Sequence, residues 1–303
     1  AADAFGYYYC PPGSVQVGCV CGLPPNVPDP NYNKGKCPWC EGNPINPLVG
    51  NKYQTETDYT GVGAFPIVVE RIYNSFGAAP GSPVGLEAAS TSAKWTFFQP
   101  PSTYWPQVGA PPSVGIYSNA PMDFGWRLSY DRAQTTVSAT GATITAFLYR
   151  SDSKARTFTL SNGVWIPTPG QLLTSLTHQN DSNGNLLGFT YVNENDETER
   201  YDANGKLLSI TNRVGLTQFL QYDPVYNKLT SVTDAFGRQL TFTYNTYGQL
   251  SGMTDPNGGT YTYSYTSDGK SNLTMVTYPD GHTRQYLYEN GQFVNAVPAM
   301  VRG

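Results

Sequence analysis

The chain is poor in charge. Lys, Arg, Asp and Glu make up 13% of its 303 residues, about half of the ~25% that is usual in soluble domains. The net charge is −4, and the few basic residues form no cluster. This composition argues against nucleic acids and anionic membrane surfaces as partners.

Long apolar runs and the motifs of common enzymes are also missing. No stretch approaches the ~20 consecutive apolar residues that a transmembrane helix needs. The two histidines, His178 and His282, stand near no Cys, Asp or Ser pattern typical of a nucleophile. There is no nucleophile elbow, P-loop or dinucleotide-binding fingerprint. The sequence therefore predicts a protein that is not an enzyme and needs no cofactor or catalytic metal.

Cysteine is confined to the first 40 residues, where proline is abundant. The five cysteines are Cys10, Cys19, Cys21, Cys37 and Cys40. Disulfides are the first interpretation, because they staple segments with little core of their own. A bridge within Cys19-Val-Cys21 would be a strained ring, so we expect both residues to bond to Cys37 and Cys40. Cys10 is then unpaired or intermolecular. A four-thiolate zinc site and a redox-active Cys37–Cys40 pair remain alternatives.

Tyrosine, by contrast, is abundant, and after residue 200 it is periodic. The aligned residues are Tyr201, Tyr222, Tyr244, Tyr265 and Tyr288, spaced 21, 22, 21 and 23 residues apart. A fixed period of this size indicates a repeat architecture. About 21 residues fit two strands of roughly seven residues and two short turns.

Within each repeat, apolar and hydroxyl residues alternate. Leu240, Phe242 and Tyr244 share one parity, and Thr241 and Thr243 share the other. Successive side chains of a strand point to opposite faces, so one face is aromatic and the other carries hydroxyls. The alternation predicts antiparallel hairpins.

Glycines mark two turns in each repeat, because glycine tolerates a positive φ. One set follows the Thr-rich strand, at Gly215, Gly237, Gly258 and Gly281, and the other follows the Tyr, at Gly205, Gly248, Gly269 and Gly291. The second copy has Asn227 where its glycine should stand, and we expect Asn227 to be left-handed.

The other strand of each repeat has apolar residues three apart. The pairs are Leu207/Ile210, Leu229/Val232, Leu250/Met253 and Leu273/Val276. On a regular strand such a pair lies on opposite faces, unless a bulge intervenes. Either arrangement predicts that both faces of the sheet meet apolar groups over part of their length.

The repeats resemble a known family. YDANGKLLSITNRVG and YDPVYNKLTSVTDAFG are similar to the YD repeats of Rhs and teneurin proteins, with Asp202 and Asp223 after the tyrosines. GNPINPLVGNKYQTETDYTG (42–61), FPIVVERIYNSF (65–76) and FGWRLSYDRA (124–133) resemble, in the same order, the segment before the repeats of bacterial Rhs proteins. The resemblance covers residues 37–303. It implies a β-sheet shell or tube, often around a C-terminal toxin, but the chain has about five repeats and lacks the autoproteolysis segment.

We divide the chain into three predicted parts. Residues 1–50 form a Cys/Pro-rich extended arm, residues 51–165 a β-rich lead-in segment, and residues 166–303 the YD-repeat sheet. The fold class is all-β. Predicted strands of the lead-in segment are Tyr53–Tyr59, Phe65–Tyr73, Trp126–Tyr130, Thr135–Ala139 and Thr143–Tyr149, followed by a hairpin around Asn162-Gly163 and interrupted by a long loop between Ala78 and Pro112.

Other polar motifs have ordinary structural interpretations. Asp181 begins a sequence like a calcium loop, but Asx-turn chemistry explains it better. The aspartates after the Thr-rich strands, Asp234, Asp255 and Asp280, are expected to cap backbone amides. The acidic residues Glu194, Asp196, Glu197 and Glu199 are interpreted as a solvated loop. Stacking of Trp105 or Trp165 on a sugar would support carbohydrate binding.

These observations predict a secreted, non-enzymatic structural protein that assembles at or beyond the cell surface, as an extracellular fibre. Its expected partners are further copies of itself and cell-surface glycans. Ala1 is the kind of residue left after removal of a signal peptide. Two alternatives are the N-terminal part of an Rhs-type toxin shell and a carbohydrate-binding surface protein.

Overall fold

The computed structural model describes residues 52–74, 122, 126–138, 144–152, 154–168, 173–266 and 272–288, with the backbone of short strands at 15–17, 20–22 and 301–302. All regular secondary structure in these ranges is β-strand, which confirms the all-β fold class. The predicted loop 78–112, the turns at Gly269 and Gly291, and the side chains of the cysteines and Tyr288 lie outside the described residues.

The strands, in chain order, are β1 (Val15–Val17), β2 (Val20–Gly22), β3 (Tyr53–Thr60), β4 (Val68–Asn74), β5 (Trp126–Leu128), β6 (Ala133–Ser138), β7 (Ile144–Tyr149), β8 (Ala155–Ser161), β9 (Val164–Pro167), β10 (Ser175–Asn180), β11 (Leu186–Val192), β12 (Thr198–Asp202), β13 (Leu207–Thr211), β14 (Thr217–Tyr222), β15 (Leu229–Thr233), β16 (Gln239–Tyr244), β17 (Leu250–Thr254), β18 (Thr260–Tyr265), β19 (Leu273–Thr277), β20 (Thr283–Gln285), β21 (Leu287–Tyr288) and β22 (Val301–Arg302).

The predicted strands of the lead-in segment are all present, with shifted ends. β4 begins at Val68 rather than Phe65, after Pro66, which has no N–H for a ladder. β5 ends at Leu128 because the chain turns there, with the Asp131 N–H donating to the Leu128 carbonyl at 2.8 Å. β8 and β9 form the predicted hairpin, and both Asn162 (φ 49°) and Gly163 (φ 79°) take a positive φ.

The repeats form one sheet of eleven strands. β10 to β20 pair in sequence order, each antiparallel to the next, so the sheet is a meander of hairpins. This is the arrangement that the alternation of aromatic and hydroxyl residues predicted. In β16, Leu240 and Phe242 are buried on one face, while Thr241 and Thr243 point to the other.

A bulge recurs at the same place in the four repeats that begin at Tyr201, Tyr222, Tyr244 and Tyr265. The register shifts between Arg200 and Tyr201, and again just before Tyr222, Tyr244 and Tyr265. Each tyrosine is therefore opposite a leucine, with one extra residue on the leucine's strand. Because of that extra residue, Leu250 and Met253 are both buried on the same face. The bulge alternative is correct, and the expectation that both faces meet apolar groups was wrong for these pairs.

Two smaller sheets of the lead-in segment lie against the apolar face. β3, β4 and β5 form one, and β6 to β9 form the other. One continuous core joins them to the repeats. It includes Val69, Trp126 and Phe158 from the lead-in segment and Leu240 and Val276 from the repeat sheet. The repeat sheet thus has one covered face and one outer face.

The repeat turns differ in detail from a two-residue Asn-Gly turn. In the turn after β13, Asn212 donates its N–H to the Leu216 carbonyl and accepts from Gly215. Gly215 has φ 90°, but the residue before it does not take a positive φ. This is a type I turn followed by a left-handed glycine. Gly205, Gly237, Gly248, Gly258 and Gly281 have φ between 77° and 86°, and Asn227 has φ 55°, as predicted.

Two of these glycines allow a matched stability test. Both have a positive φ, but a Cβ on Gly258 would meet nothing within 4 Å, whereas one on Gly205 would lie 1.8 Å from the Gln134 carbonyl oxygen. We expect Gly258→Ala to cost roughly 1 kcal/mol, from backbone strain. Gly205→Ala should cost roughly 2–3 kcal/mol, since the chain must also move aside. Urea unfolding of the two variants measures both, and equal losses would contradict the close approach.

Candidate functional site: polar anchors between the lead-in segment and the repeat sheet

The YD motif combines a buried ring with a turn cap. Tyr201 is buried on the covered face. The next residue, Asp202, accepts hydrogen bonds through Oδ1 from the N–H groups of Asn204 (2.9 Å) and Lys206 (2.8 Å). Asp223 likewise accepts from Val225 and Tyr226. The aspartate therefore closes the turn that follows the tyrosine's strand.

Later repeat tyrosines also tie one hairpin to the hairpin before it. The Tyr244 hydroxyl donates to the Leu229 carbonyl at 2.8 Å, and the Tyr265 hydroxyl donates to the Leu250 carbonyl at 2.8 Å. Leu229 and Leu250 directly precede the extra residue of the bulges in the preceding repeats. Each of these tyrosines thus satisfies a backbone acceptor beside a ladder irregularity.

The first anchor of the lead-in segment is Arg71, in the middle of β4 and fully buried. Its Nε donates to Asp58 Oδ2 at 2.7 Å, and a second nitrogen donates to Oδ1 at 2.9 Å. This two-point contact is the strong geometry for a guanidinium and a carboxylate. Glu56 Oε2 lies 3.1 Å from the same guanidinium. Asp58 sits at a bulge of β3, where the register shifts between Thr57 and Tyr59.

Tyrosine hydroxyls from the far end of the repeat sheet complete this group. Tyr263 donates to Asp58 Oδ2 at 2.9 Å, and Tyr278 donates to Oδ1 at 3.1 Å. The Tyr286 hydroxyl accepts from Arg71 at 2.7 Å and donates to Glu56 at 2.5 Å. Burial alone would lower the pKa of Arg71, but the hydrogen bond and the charge of Asp58 outweigh burial and hold that pKa well above its ordinary value. We call these six residues the Arg71 cluster.

The second anchor is Glu199, fully buried on β12 at the other end of the sheet. Arg150 donates to both of its carboxylate oxygens, at 2.5 and 2.6 Å, and Arg132 donates to Oε1 at 2.6 Å. The Tyr201 hydroxyl donates to Oε2 at 2.5 Å. The Arg150 guanidinium also lies 5.4 Å from the Tyr191 ring centre, within cation–π range. We call Glu199, Arg132, Arg150 and Tyr201 the Glu199 cluster.

The electrostatics of this cluster favour the ionised carboxylate. Burial alone would raise the pKa of Glu199, but the charges of Arg150 and Arg132 and the hydrogen bonds of Arg150 and Tyr201 outweigh it and lower the pKa to about 2. Burial raises the pKa of the Tyr201 hydroxyl well above its usual range, so it remains a donor. The Glu199 cluster therefore stabilises a buried negative charge at a fixed position.

A third, neutral anchor lies between the two clusters. Gln218 is buried on β14, accepts a 2.8 Å hydrogen bond from the Tyr130 hydroxyl and donates to the Pro66 carbonyl at 2.8 Å. Polar contacts from β12 through β14 to the region of β18 to β20 therefore bind the lead-in segment along the sheet, over roughly 38 Å at ~4.8 Å per strand.

Trp165, which was considered for stacking on a sugar, is buried and contacts one of the two histidines. Trp165 is only 7% exposed, and its indole Nε1 donates to His178 Nδ1 at 3.1 Å. Trp165 is therefore not placed to stack on a sugar, and Trp105 lies outside the described residues. His282 is exposed beside Asp280, 2.9 Å from its carboxylate.

The expected backbone caps are present, and the cap at Asp280 differs from the others in its position in the turn. Asp181 Oδ1 accepts from the N–H groups of Asn183 and Asn185, as an Asx turn. Asp234 and Asp255 each cap two amides of their turns. Asp280 caps only His282, because Tyr278 holds the position in the last turn that Asp234 and Asp255 hold in theirs.

The acidic residues near 195 needed a larger correction. Glu194 pairs with Arg156, and Glu197 accepts from Asn193, at the surface. Glu199 does not belong to a solvated loop, since its side chain is fully buried. The alternation of inward and outward side chains along a strand could have predicted that Glu199 is buried while Glu194 and Glu197 are not. Glu199 has the parity of the buried Tyr201, and Arg71 has the parity of Val69 and Tyr73, so each is a charged residue at an inward position.

Over the described ranges, no group of three or more His, Cys, Asp or Glu side chains could hold a metal ion. Nor does that part of the chain contain a helix with the length and apolarity needed to cross a membrane. The polar clusters are surrounded by packed side chains, so they fix the position of the lead-in segment on the repeat sheet.

Comparison with known proteins agrees with this geometry. The family model described as RHS Repeat matches residues 201–239, 225–260 and 244–283. A second model, a domain of unknown function (DUF6531), matches residues 42–93. No curated protein matches the chain.

Solved structures similar to the chain include two crystal structures. One is titled TcdB2-TccC3, with 15% identity and a TM-score of 0.27, and the other TcdB2-TccC3-Cdc42, with 14% identity and a TM-score of 0.25. Each alignment covers 52% of this chain and 11% of the other. The chain therefore spans about a tenth of the length of these relatives.

The sequence matches lie on the strands that carry the recurring bulge, the buried tyrosine and the Asx-capped turn. Residues 201–283 therefore match the RHS Repeat family model and carry its repeats.

Proposed function

We propose that the chain is a non-enzymatic segment of a YD-repeat β shell, and that its lead-in segment closes the inner face of the repeats. The observation that carries this proposal is the bulge before every repeat tyrosine from Tyr201 to Tyr265. A bulge bends its strand and increases the local twist. Bulges repeated at one position bend the sheet in one sense, which suits a curved wall.

The anchors support the same role. The covered face is filled by the chain's own lead-in segment, fixed by the Arg71 and Glu199 clusters at opposite ends of the sheet. Buried, fully hydrogen-bonded ion pairs specify one arrangement more than they add stability. We infer that this part of the wall is a closed, rigid end, and that any enclosed cargo lies beyond it.

A self-assembling extracellular fibre is the second candidate. Within the described residues β20 pairs only with β19, so its other edge presents unpaired backbone groups. Such an edge is a template for another strand. In the fibre, the Cys/Pro-rich residues 1–50 of one copy would lie along the neighbouring copy, and a bridge through Cys10 would reinforce the contact. Both proposed functions, the shell segment and the fibre, include secretion of the protein.

Electron microscopy and light scattering of the native protein separate the two. The shell proposal expects compact particles with a curved wall, whose mass does not grow with protein concentration. Removal of residues 1–50 should leave that behaviour and the β-type circular dichroism unchanged. Filaments that disappear on removal of residues 1–50, from a core that remains folded, would establish the fibre and overturn the shell.

A further inference from the structure

Asn-Gly pairs recur in the turns of the described residues, and all of their asparagines are exposed. They are Asn162-Gly163, Asn183-Gly184, Asn204-Gly205 and Asn257-Gly258. Asparagine is a chemically labile residue, because the backbone nitrogen of the next residue can attack its side-chain amide carbon. Glycine has no Cβ to hinder that attack, so the surroundings of each pair decide which asparagine reacts.

Hydrogen bonds hold the reacting groups in three of these pairs. In the first turn of the repeat sheet, the Gly184 N–H donates to the Asp181 carbonyl at 3.1 Å, and the Asn183 N–H donates to Asp181 Oδ1 at 2.8 Å. The same two bonds are present at Asn204-Gly205, with Asp202, and at Asn257-Gly258, with Asp255. The attacking nitrogen is already engaged in each of these turns, so its hydrogen bond must be broken before it can react.

The turn between β8 and β9 differs, because its two residues make no such bonds. Ser161 pairs with Val164, and within the described residues neither the Asn162 N–H nor the Gly163 N–H has a hydrogen-bond acceptor. A Cβ on Gly163 would meet nothing within 4 Å, whereas one on Gly205 would lie 1.8 Å from a carbonyl oxygen. The Gly163 nitrogen is therefore unengaged and has open space around it.

We propose that Asn162 is a modification site, at which the folded protein deamidates ahead of the other three asparagines. The Gly163 nitrogen loses its proton to hydroxide and forms a bond to Asn162 Cγ. The bond from Cγ to Nδ2 breaks, and Nδ2 takes up a proton from water and leaves as ammonia. A second water opens the resulting succinimide at either carbonyl carbon, which gives aspartate or isoaspartate. The net reaction consumes water and releases ammonia, with no oxidation or reduction.

The isoaspartate product changes the hairpin, because its backbone passes through the former side-chain carbon and is longer by that atom. A two-residue turn fixes the register of its hairpin, so the longer turn strains the pairing of β8 with β9. β9 carries Trp165, whose indole N–H donates to His178 of β10 at 3.1 Å. The modification therefore loosens the contact between β9 and the repeat sheet, whether the protein forms a shell or a fibre.

The test incubates the full chain in mildly alkaline buffer, once folded and once unfolded in urea, and follows each Asn-Gly pair by peptide mass spectrometry. The ratio of the folded rate to the rate in urea removes the influence of neighbouring residues at each pair. We expect this ratio to be roughly fivefold or more higher at Asn162 than at the other three asparagines, since only theirs requires the loss of a turn hydrogen bond. The comparison is made within one wild-type chain and needs no variant.

Two variants extend the test. Asp181→Ala removes the acceptor of the Asn183 N–H, so it should raise the folded rate at Asn183 and leave that at Asn162 unchanged. Asn162→Gln should block the reaction, and hydrogen exchange in β8 and β9 should become faster on incubation in the wild type but not in this variant. The proposal is overturned if the ratio at Asn162 does not exceed those at Asn183 and Asn257. Unchanged exchange in β9 after conversion of Asn162 would overturn the structural consequence.

Discussion

Replacing Arg71 with methionine is expected to destabilise the protein by about 3–5 kcal/mol. The substitution removes the cation of the Arg71 cluster and leaves Asp58, whose side chain is fully buried, without its ionic partner. The tyrosine hydroxyls of the cluster cannot replace a charge. Urea unfolding measures the loss, and hydrogen exchange should be faster in β18 to β20, which Arg71 connects to β3 and β4 through Tyr263, Tyr278 and Tyr286.

The control for this prediction is Arg200→Met. Arg200 is exposed on the outer face of β12, and its replacement should change stability by no more than about 0.5 kcal/mol. Adding Asp58→Asn to Arg71→Met should cost less than the sum of the two single changes, because the carboxylate left uncompensated by the first change is gone. If Arg71→Met unfolds at the wild-type urea concentration, the anchor does not exist as described.

Glu199→Gln is expected to be as damaging, about 3–5 kcal/mol at neutral pH. Arg132 and Arg150 would then face each other with no carboxylate between them, at 19% and 16% side-chain exposure. Glu194→Gln is the matched control, since its pair with Arg156 is partly exposed. Loss of an exposed pair should cost no more than about 1 kcal/mol.

The same residue gives the wild-type protein a defined pH dependence. The pKa of Glu199 is lowered from its ordinary 4.5 to about 2. A depressed carboxyl pKa contributes stability above its unfolded value and loses that contribution as the pH falls through the folded one. We therefore expect a loss of about 3 kcal/mol between pH 5 and 2 that the Glu199→Gln variant does not have. Parallel pH profiles of the two proteins would contradict the assignment.

The repeat architecture could be predicted because its signals are local. The tyrosine period, the parity of residues such as Leu240 and Thr241, and the glycines at turns each depend on strand and turn geometry within a few residues. For the same reason the backbone-capping roles of Asp234 and Asp255 were correct. Asp280 also caps an amide, that of His282, but from a different position in its turn, because it directly precedes Gly281.

The bulge illustrates a choice that the pattern left open. Leucine and valine three residues apart fit either a regular strand with two apolar faces or a bulged strand with one. Only the lead-in segment, packed on a single face of the sheet, makes the second arrangement lower in free energy, because it buries both residues of pairs such as Leu250 and Met253.

The sequence by itself therefore determined the all-β class, the hairpin repeat, its turn chemistry and the resemblance of residues 201–283 to the RHS repeat, since these follow from spacing along the chain. Tertiary structure decided which face is covered, and it brought Arg71 to Tyr286, 215 residues away along the chain, and Arg150 to Glu199. Spacing cannot encode such pairs, because the partner of a buried charge is set by which sheets pack together. Parity marked Arg71 and Glu199 as inward charges, and packing supplied the residues that neutralise them.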